Sequence, residues 1–410
     1  MNPEASRCLL CKKPFCSLKG CPVHTSVPEC MSLYREGRLD EAGALLFRNN
    51  PLTAVTSLVC DWKRFCYGNC VLNVKGQAVR WYEIEQEISG RFLFSHHLER
   101  YSRALEGRKV AIVGAGPAGI AATVWLWGCG AEVVLLDANP RMGGVLRYGI
   151  PAFRLDKKYC DAYERLFAEA GIAFRGQVRL GETISLDELS AEYDAVFLGM
   201  GAEHPARLKI PGDERAVQAL AFLKNPQAYN LGRKVIVVGG GNVAMDACRT
   251  AARLGCETWV YYRKDFVNMP ASEAEVAEAK AEGVHFRMFQ APVEIRADGV
   301  VFRDCENVQP EGGGRVQTRI IEGTDHFVPC DTLLTAISEN PDFALFQGAG
   351  AVMDAYGWPM VSRGQQVKGL PNVWLAGDFW LGPRTVVEAV ESARIAVNDI
   401  MACYGKMTSV

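Results

Sequence analysis

Seven cysteines stand in two tight groups near the start of the chain. RCLLCKKPFCSLKGCP spaces Cys8, Cys11, Cys16 and Cys21 as C-x2-C-x4-C-x4-C-P, and CDWKRFCYGNC spaces Cys60, Cys66 and Cys70 as C-x5-C-x3-C. Spacings this short crowd thiolates into a small volume, and a proline directly after the fourth cysteine matches a ferredoxin-type pattern of iron–sulfur ligation. A structural zinc site is the rival. It would more naturally show two C-x2-C pairs or Cys/His mixtures at knuckle spacing, whereas only one C-x2-C occurs here, with His24 the nearest imidazole. A thioredoxin-type redox pair fails for Cys8 and Cys11, because no βαβ pattern surrounds them. Two cubane clusters require eight ligands, so seven thiols leave one place for a residue of another type. The other eight of the 15 cysteines, Cys30 among them, lie singly among apolar neighbours and read as small core residues.

Two glycine-rich turns offer a second chemistry. KVAIVGAGPAGIAATVWLWGCGAEVVLLDANP runs an apolar strand into Gly114-x-Gly116-x-x-Gly119, then a helix, then a strand ending on Asp137. The glycines permit a tight turn and close approach of backbone to a pyrophosphate at the helix N-terminus, and Asp137 can accept hydrogen bonds from ribose hydroxyls. KVIVVGGGNVAMDACRTAARLGCETWVYYRKD repeats the arrangement with Gly239-x-Gly241-x-x-Ala244, but Arg263 and Lys264 stand where the acid would be. A carboxylate there would repel a 2′-phosphate, while a guanidinium and an ammonium would bind it, so the second turn favours NADPH over NADH. One such fold that retains FAD and one that lends it a nicotinamide make a natural pair, in which hydride moves by stacking and orientation and no catalytic triad is needed. Near the end, PNVWLAGDFWLGPRTVVEAVESARIAVNDI reads as a short strand, a Gly377-Asp378 turn and a long amphipathic helix. That helix can aim its N-terminal dipole at a flavin ring, and Asp378 can bond a ribityl chain.

These residues need elements to hold them. VPECMSLYREGRLDEAGALLFRNNP carries helical apolar spacing and stops at Asn50-Pro51, which predicts a small helical domain packing the two cysteine loops together. YDAVFLGMGAEHPARLKIPG reads as a closing strand of the first nucleotide fold, with Pro211-Gly212 as the crossing into the second, and CDTLLTAISENPDF reads as the return. The expectation is therefore an α/β chain: a helical iron–sulfur domain over 1–105, an FAD domain split between 106–212 and 336–410, and an NADPH domain inserted over 213–335. Within the insert, Ser272-x-x-Glu275 predicts a capping box opening a helix. The adjacent His96 and His97 read as surface or interface residues rather than ligands. A length of 410 residues suits two or three domains, and a formal charge of −2 gives no basic footprint for nucleic acid. No charged-then-apolar leader and no membrane-length apolar run stands out, so a cytoplasmic, membrane-free protein is expected. In that reducing compartment, 15 cysteines point to metal or redox chemistry rather than disulfides.

The order of cysteine groups, flavin fold and inserted NADPH fold resembles the family formed by the small subunit of NADPH-dependent glutamate synthase and the N-terminal half of dihydropyrimidine dehydrogenase. The likeness runs through EASRCLLC, NNPL, GAGPAG, GGVLRYGIPAFRL, GGGNVAMD, YRKDFVNMPASE and AGD…GPRTVVEAV, nearly the whole length. It implies two [4Fe–4S] clusters, one on Cys8, Cys11, Cys16 and Cys70, the other on Cys21, Cys60, Cys66 and an acid or amide from WYEIEQEI. Glu85 is favoured there over Gln86. It further implies FAD held by Gly114, Gly116, Gly119, Asp137, Gly144, Leu146, Arg154, Gly377, Asp378 and Thr385. NADPH falls to Gly239, Gly241, Asn242, Val243, Arg263 and Lys264. Departures are an extra residue between Cys16 and Cys21, Asp61 where proline commonly follows the cysteine, and Ser338 where Ala-Ile-Gly is usual. The expected role is electron input: NADPH is oxidised at FAD and single electrons pass through the clusters to a catalytic partner subunit. The alternative is a free-standing oxidoreductase that serves a ferredoxin-type acceptor, for which Lys12, Lys13 and Lys19 offer an electropositive landing patch. A cluster that only senses or staples the fold is a third reading.

Overall fold

The computed structural model describes residues 2–74, 76–310, 314 and 316–406. The cysteine-rich segment folds as helices. Val27–Arg35 and Leu39–Asn49 are separated where Gly37 takes φ +76°, a left-handed value that ends the first helix at little steric cost. Thr53–Val59 follows after the Asn50-Pro51 stop, and Trp81–Ser95 packs on both of the last two. Their apolar faces meet in a core of Cys30, Met31, Leu46, Trp81, Ile84 and Ile88. Arg35 ties the first cysteine loop to this core by donating to the backbone carbonyls of Ala5 (2.9 Å) and Cys8 (2.5 Å).

The chain divides into two compact units, one of residues 1–146, 152–203 and 340–410, the other of 147–151 and 204–339. The first holds the helical segment together with a five-stranded sheet in the order Val373–Leu375, Ala195–Leu198, Lys109–Val113, Glu132–Asp137, Ala173–Gly176. Every pairing in it is parallel. Its strands are near-continuous apolar runs because helices cover the sheet, and Val373–Leu375 joins it only after the second unit has been made. The second unit repeats the plan, with parallel strands Val217–Gln218, Thr332–Thr335, Lys234–Val238, Glu257–Tyr262 and His285–Met288 in that order. It adds an antiparallel layer built on Gly299–Val308.

The units divide at 203/204 and 339/340, where the sequence suggested 212/213 and 335/336. The physical reason is packing: Leu208 and Ile210 lie against the second unit's core of Ile295, Val300 and Phe302, and Thr332–Thr335 is itself a strand of that unit's sheet. Ser272 and Glu275 do form a capping box, at the start of helix Glu273–Ala281. Among the described residues no helix is long and apolar enough to cross a membrane.

Candidate cofactor sites

The cysteine loops enclose two cavities that together hold all seven clustered thiols. The first is lined by Cys8, Cys11, Cys16 and Cys70, and the second by Cys21, Cys60 and Glu85. Cys66, Val27 and Trp81 line both and form the partition between them. All 15 cysteines are unpaired as disulfides. Among the described residues no three Cys, His, Asp or Glu side chains converge on a point that would suit one metal ion. A mononuclear zinc needs its sulfurs at about 2.3 Å from one centre and hence within about 4 Å of each other. Thiols spread around a cavity instead fit a polynuclear cluster, and the donor set of seven sulfurs and one carboxylate has the chemistry to hold such a group.

Burial dominates the electrostatics of Cys8, Cys16, Cys21, Cys60 and Cys66. It pushes Cys16 up to about 11 and holds Cys60 and Cys66 well above the ordinary thiol range. The carboxyl of Glu85, buried and accepting a 2.9 Å hydrogen bond from Thr53 Oγ1, is pushed to about 7. Burial disfavours the charged form, so bound iron would supply the positive charge that makes thiolates of Cys16, Cys60 and Cys66, and its entry would release their protons. Gln86 turns elsewhere: its Nε2 donates to the Ser57 carbonyl at 2.8 Å, and it lines neither cavity. Cys30 is fully buried in the helical core. His97 pairs with Glu169 at 2.9 Å and His96 stacks on Phe92, which makes both surface residues.

Three wall residues escaped the sequence. Two are Trp62 and Tyr82, which stack on each other (centroids 4.6 Å apart, planes 14°) along the second cavity, while Thr53, outside the wall, orients Glu85. The third, Val387, lies in the first turn of the C-terminal helix Val386–Tyr404, so the second cavity touches the flavin-type fold directly. Arg64, between the second-group cysteines, reaches Glu388 of the same turn at 3.4 Å. A single buried valine leaves no signal in a sequence, and the spacing Thr385-x-x-Glu388 marks a helix start but not a partner for Arg64.

The first glycine turn is a backbone cradle. Gly114 takes φ +101°, where a Cβ would lie 2.3 Å from the Gly199 carbonyl oxygen, and a Cβ on Gly119 would come within 1.8 Å of the Gly114 oxygen. No other residue fits at either place. Gly116 caps helix Pro117–Gly128 and faces Gly144 across a gap that a Cβ on Gly144 would close to 2.7 Å, which leaves the helix N-terminus open to a phosphate. Asp137 is buried at the end of its strand and already accepts from Ala115 N (2.6 Å) and Asn139 N (2.7 Å), so it braces the loop that it was expected to serve. Leu146 is buried and Arg154 half-buried. Gly377 is fixed by a 3.0 Å bond from its N–H to Ser392, Asp378 opens a one-turn helix, and Thr385 caps the C-terminal helix in a box with Glu388. These glycines and acids line up along the carboxyl ends of the parallel strands, where a doubly wound sheet takes its ligand.

In the second unit Gly239 meets the Ala336 oxygen where a Cβ would sit at 2.3 Å, and Gly241 caps helix Asn242–Arg253 with open space beside it. The basic pair after Tyr262 is divided. Arg263 is exposed, whereas Lys264 is 4 % exposed and its ammonium donates to the Val316 carbonyl. The expected two-cation phosphate grip is thus one exposed side chain in this arrangement: both residues lie in the bend after strand Glu257–Tyr262, and the Lys264 ammonium is taken up by the Val316 carbonyl.

Residues 108–393 match the model of the pyridine nucleotide-disulphide oxidoreductase family, and residues 1–95 match that of dihydropyrimidine dehydrogenase domain II, 4Fe-4S cluster. The NADPH glutamate synthase small chain of Escherichia coli is 34 % identical over 97 % of this chain and 90 % of its own. The beta subunit of an NADP(+)-dependent formate dehydrogenase from Moorella thermoacetica is 32 % identical over 95 % of this chain and 60 % of its own. Among solved structures, FprA from Mycobacterium tuberculosis in complex with NADPH shares the fold (TM-score 0.63, 20 % identity) over 72 % of this chain and 84 % of that one.

Proposed function

This chain belongs to the pyridine nucleotide-disulphide oxidoreductase family as an NADPH-dependent FAD and iron–sulfur oxidoreductase of the glutamate synthase small-chain kind. From that premise we propose that it is an electron-input subunit with two [4Fe–4S] clusters, which feeds a separate catalytic subunit in the cytoplasm. When bound, FAD accepts hydride from NADPH, and [4Fe–4S] clusters carry single electrons.

The observation that carries the reading is the continuous wall running from the C-terminal helix to the surface. Val387 lines the second cavity; Cys66, Val27 and Trp81 divide the second cavity from the first. Cys8, Cys11, Cys16 and Cys70 would hold the outer cluster, and Cys21, Cys60, Cys66 and Glu85 the inner one. Their residues set the order of travel: flavin fold, second cavity, first cavity, exterior. The Trp62–Tyr82 stack lines the inner cavity beside Glu85, whose carboxylate would set the local charge at that cluster. The cradle of Gly114, Gly116, Gly119 and Gly144, with Asp137, Leu146, Arg154, Gly377, Asp378 and Thr385 around it, would orient FAD. Gly239, Gly241, Asn242 and Val243 would take the NADPH pyrophosphate, with Arg263 its 2′-phosphate. That homologues include subunits of glutamate synthase and formate dehydrogenase supports a partner chain that performs the substrate chemistry.

The test is anaerobic affinity purification of the tagged chain from its own host, with mass spectrometry of whatever co-elutes in stoichiometric amount. A large catalytic chain supports the input-subunit reading and identifies the substrate. A chain that elutes alone, yet exchanges electrons between NADPH and ferredoxin, contradicts it.

A further inference from the structure

We propose that Ser392 and Gln365 are positioning residues for FAD, which fix the Gly377-Asp378 turn through a buried chain of hydrogen bonds. The proposal rests on the reading of that turn as part of the FAD cradle and adds what holds it in place. Ser392 lies in helix Val386–Tyr404 and is 2 % exposed. Its Oγ accepts from the Gly377 N–H at 3.0 Å and donates to Gln365 Oε1 at 2.8 Å. Gln365 answers from the other end of its amide, with Nε2 donating to the Ser392 carbonyl at 3.1 Å. The backbone carbonyl of Gln365 also accepts from Leu375 N at 3.0 Å, and Leu375 ends the strand Val373–Leu375 that leads into Gly377. Strand, turn and helix are thus tied together by two side chains.

The backbone of Gln365 shows that its side chain is wanted. It takes φ +67°, and of the seven non-glycine residues with a left-handed φ among the described residues it alone is buried. Glycine would adopt that conformation at little steric cost, yet the glycine stands one place earlier, where a Cβ on Gly364 would run into the Asp399 side chain. A buried amide kept on a strained backbone is retained for what it bonds, here both ends of Ser392. The turn that the pair fixes reaches the phosphate cradle. Gly377 takes φ +62°, and a Cβ on it would come within 2.9 Å of Ala118 Cβ, in the first turn of the helix that Gly116 caps. A turn seated this closely on the cradle has little freedom to shift, and without the Ser392 hydroxyl its buried N–H would lack a partner. A second bond between the same strand and helix, from Trp374 Nε1 to Asp399 Oδ2 at 2.8 Å, involves neither Gly377 nor Ser392 and supplies a control.

The test follows FAD release from the full cluster-loaded chain on dilution, read as the return of free-flavin fluorescence. Threonine and valine have nearly the same shape and differ in the hydroxyl, so Ser392→Thr and Ser392→Val separate the hydrogen bond from the space around it. We expect Ser392→Val to release FAD about tenfold faster than Ser392→Thr, the effect of leaving a buried donor unpaired. Gln365→Asn, which tolerates the left-handed φ but is too short to reach Ser392, should also release FAD faster than wild type. Trp374→Phe should lower the melting temperature and leave FAD release unchanged. Equal release from Ser392→Thr and Ser392→Val overturns the proposal. So does wild-type release from Gln365→Asn, or a Trp374→Phe chain that sheds FAD as fast as Ser392→Val. Asp378→Ala tests the premise separately: wild-type release from it removes the cradle reading and the proposal together. Fast release from Asp378→Ala, with equal release from the two Ser392 variants, removes the positioning role alone.

Discussion

The front of the chain and its glycine turns bind their groups by opposite means. At the turns the site is backbone: Gly114 and Gly119 hold a loop whose shape is complete before any ligand arrives, because sheet, helix and Asp137 already bond it. At the front the site is side chains around space. Seven thiols and a carboxyl face two cavities inside a small helical body, and burial raises Cys16, Cys60, Cys66 and Glu85 above their ordinary ranges, so that iron would displace protons there on binding. A helical segment whose core adjoins two cavities is expected to lose stability when they are empty, whereas the doubly wound sheet holds its shape through its own strands and helices.

The sharpest way to break this contrast is to remove the metal. Iron chelation under reducing conditions should unfold the helices of residues 1–105, seen as lost far-UV helicity and new proteolytic cuts there, while flavin absorbance persists. A chelated chain that keeps its helicity would show that the cavities do not need their contents. The converse change is Gly119→Val, whose added atoms would meet the Gly114 carbonyl. We expect FAD binding to weaken by a hundredfold or more, roughly 2.7 kcal/mol, with iron content unchanged.

Within the front, Cys66 lines both cavities and Cys11 only one. Cys66→Ser should therefore lower iron in both populations, whereas Cys11→Ser should spare the inner one; equal losses from the two variants would contradict the shared wall. Between the two glycine turns, Arg263→Ser should raise the KM for NADPH by about tenfold to a hundredfold, the loss of one charge-assisted bond of about 1.5–3 kcal/mol, and leave that for NADH unchanged. Lys264→Ala should move KM far less, because that ammonium is bonded to the Val316 carbonyl. The smallest effect is that of Glu85→Gln. Removing a negative ligand favours the more negative, reduced cluster, so its midpoint potential should rise with iron content unchanged, as read by EPR-monitored titration.

The legibility of the chain follows the same division. The parallel folds could be read because strand, glycine turn, helix and terminal acid or base fall in one local order, and the spacing of thiols announced metal chemistry. What could not be read is long-range. Val387 and Arg64 join segments more than three hundred positions apart, and Trp62 stacks on Tyr82 with nothing in either hydropathy or spacing to pair them. The unit boundary moved from 212 to 203 because Leu208 and Ile210 found a core that local pattern does not name. Lys264 looked like a partner of Arg263, but in the bend after the strand Arg263 is exposed while Lys264 is buried against the Val316 carbonyl, 52 positions further along the chain.

The account turns on two clusters in two cavities. The measurement that meets this directly is iron and acid-labile sulfide per chain, with Mössbauer spectra, on protein purified anaerobically. It predicts about eight irons and eight sulfides in two distinguishable [4Fe–4S] populations, of which Cys60→Ser keeps only one. Zinc in place of iron, or four irons in a single population, would contradict it.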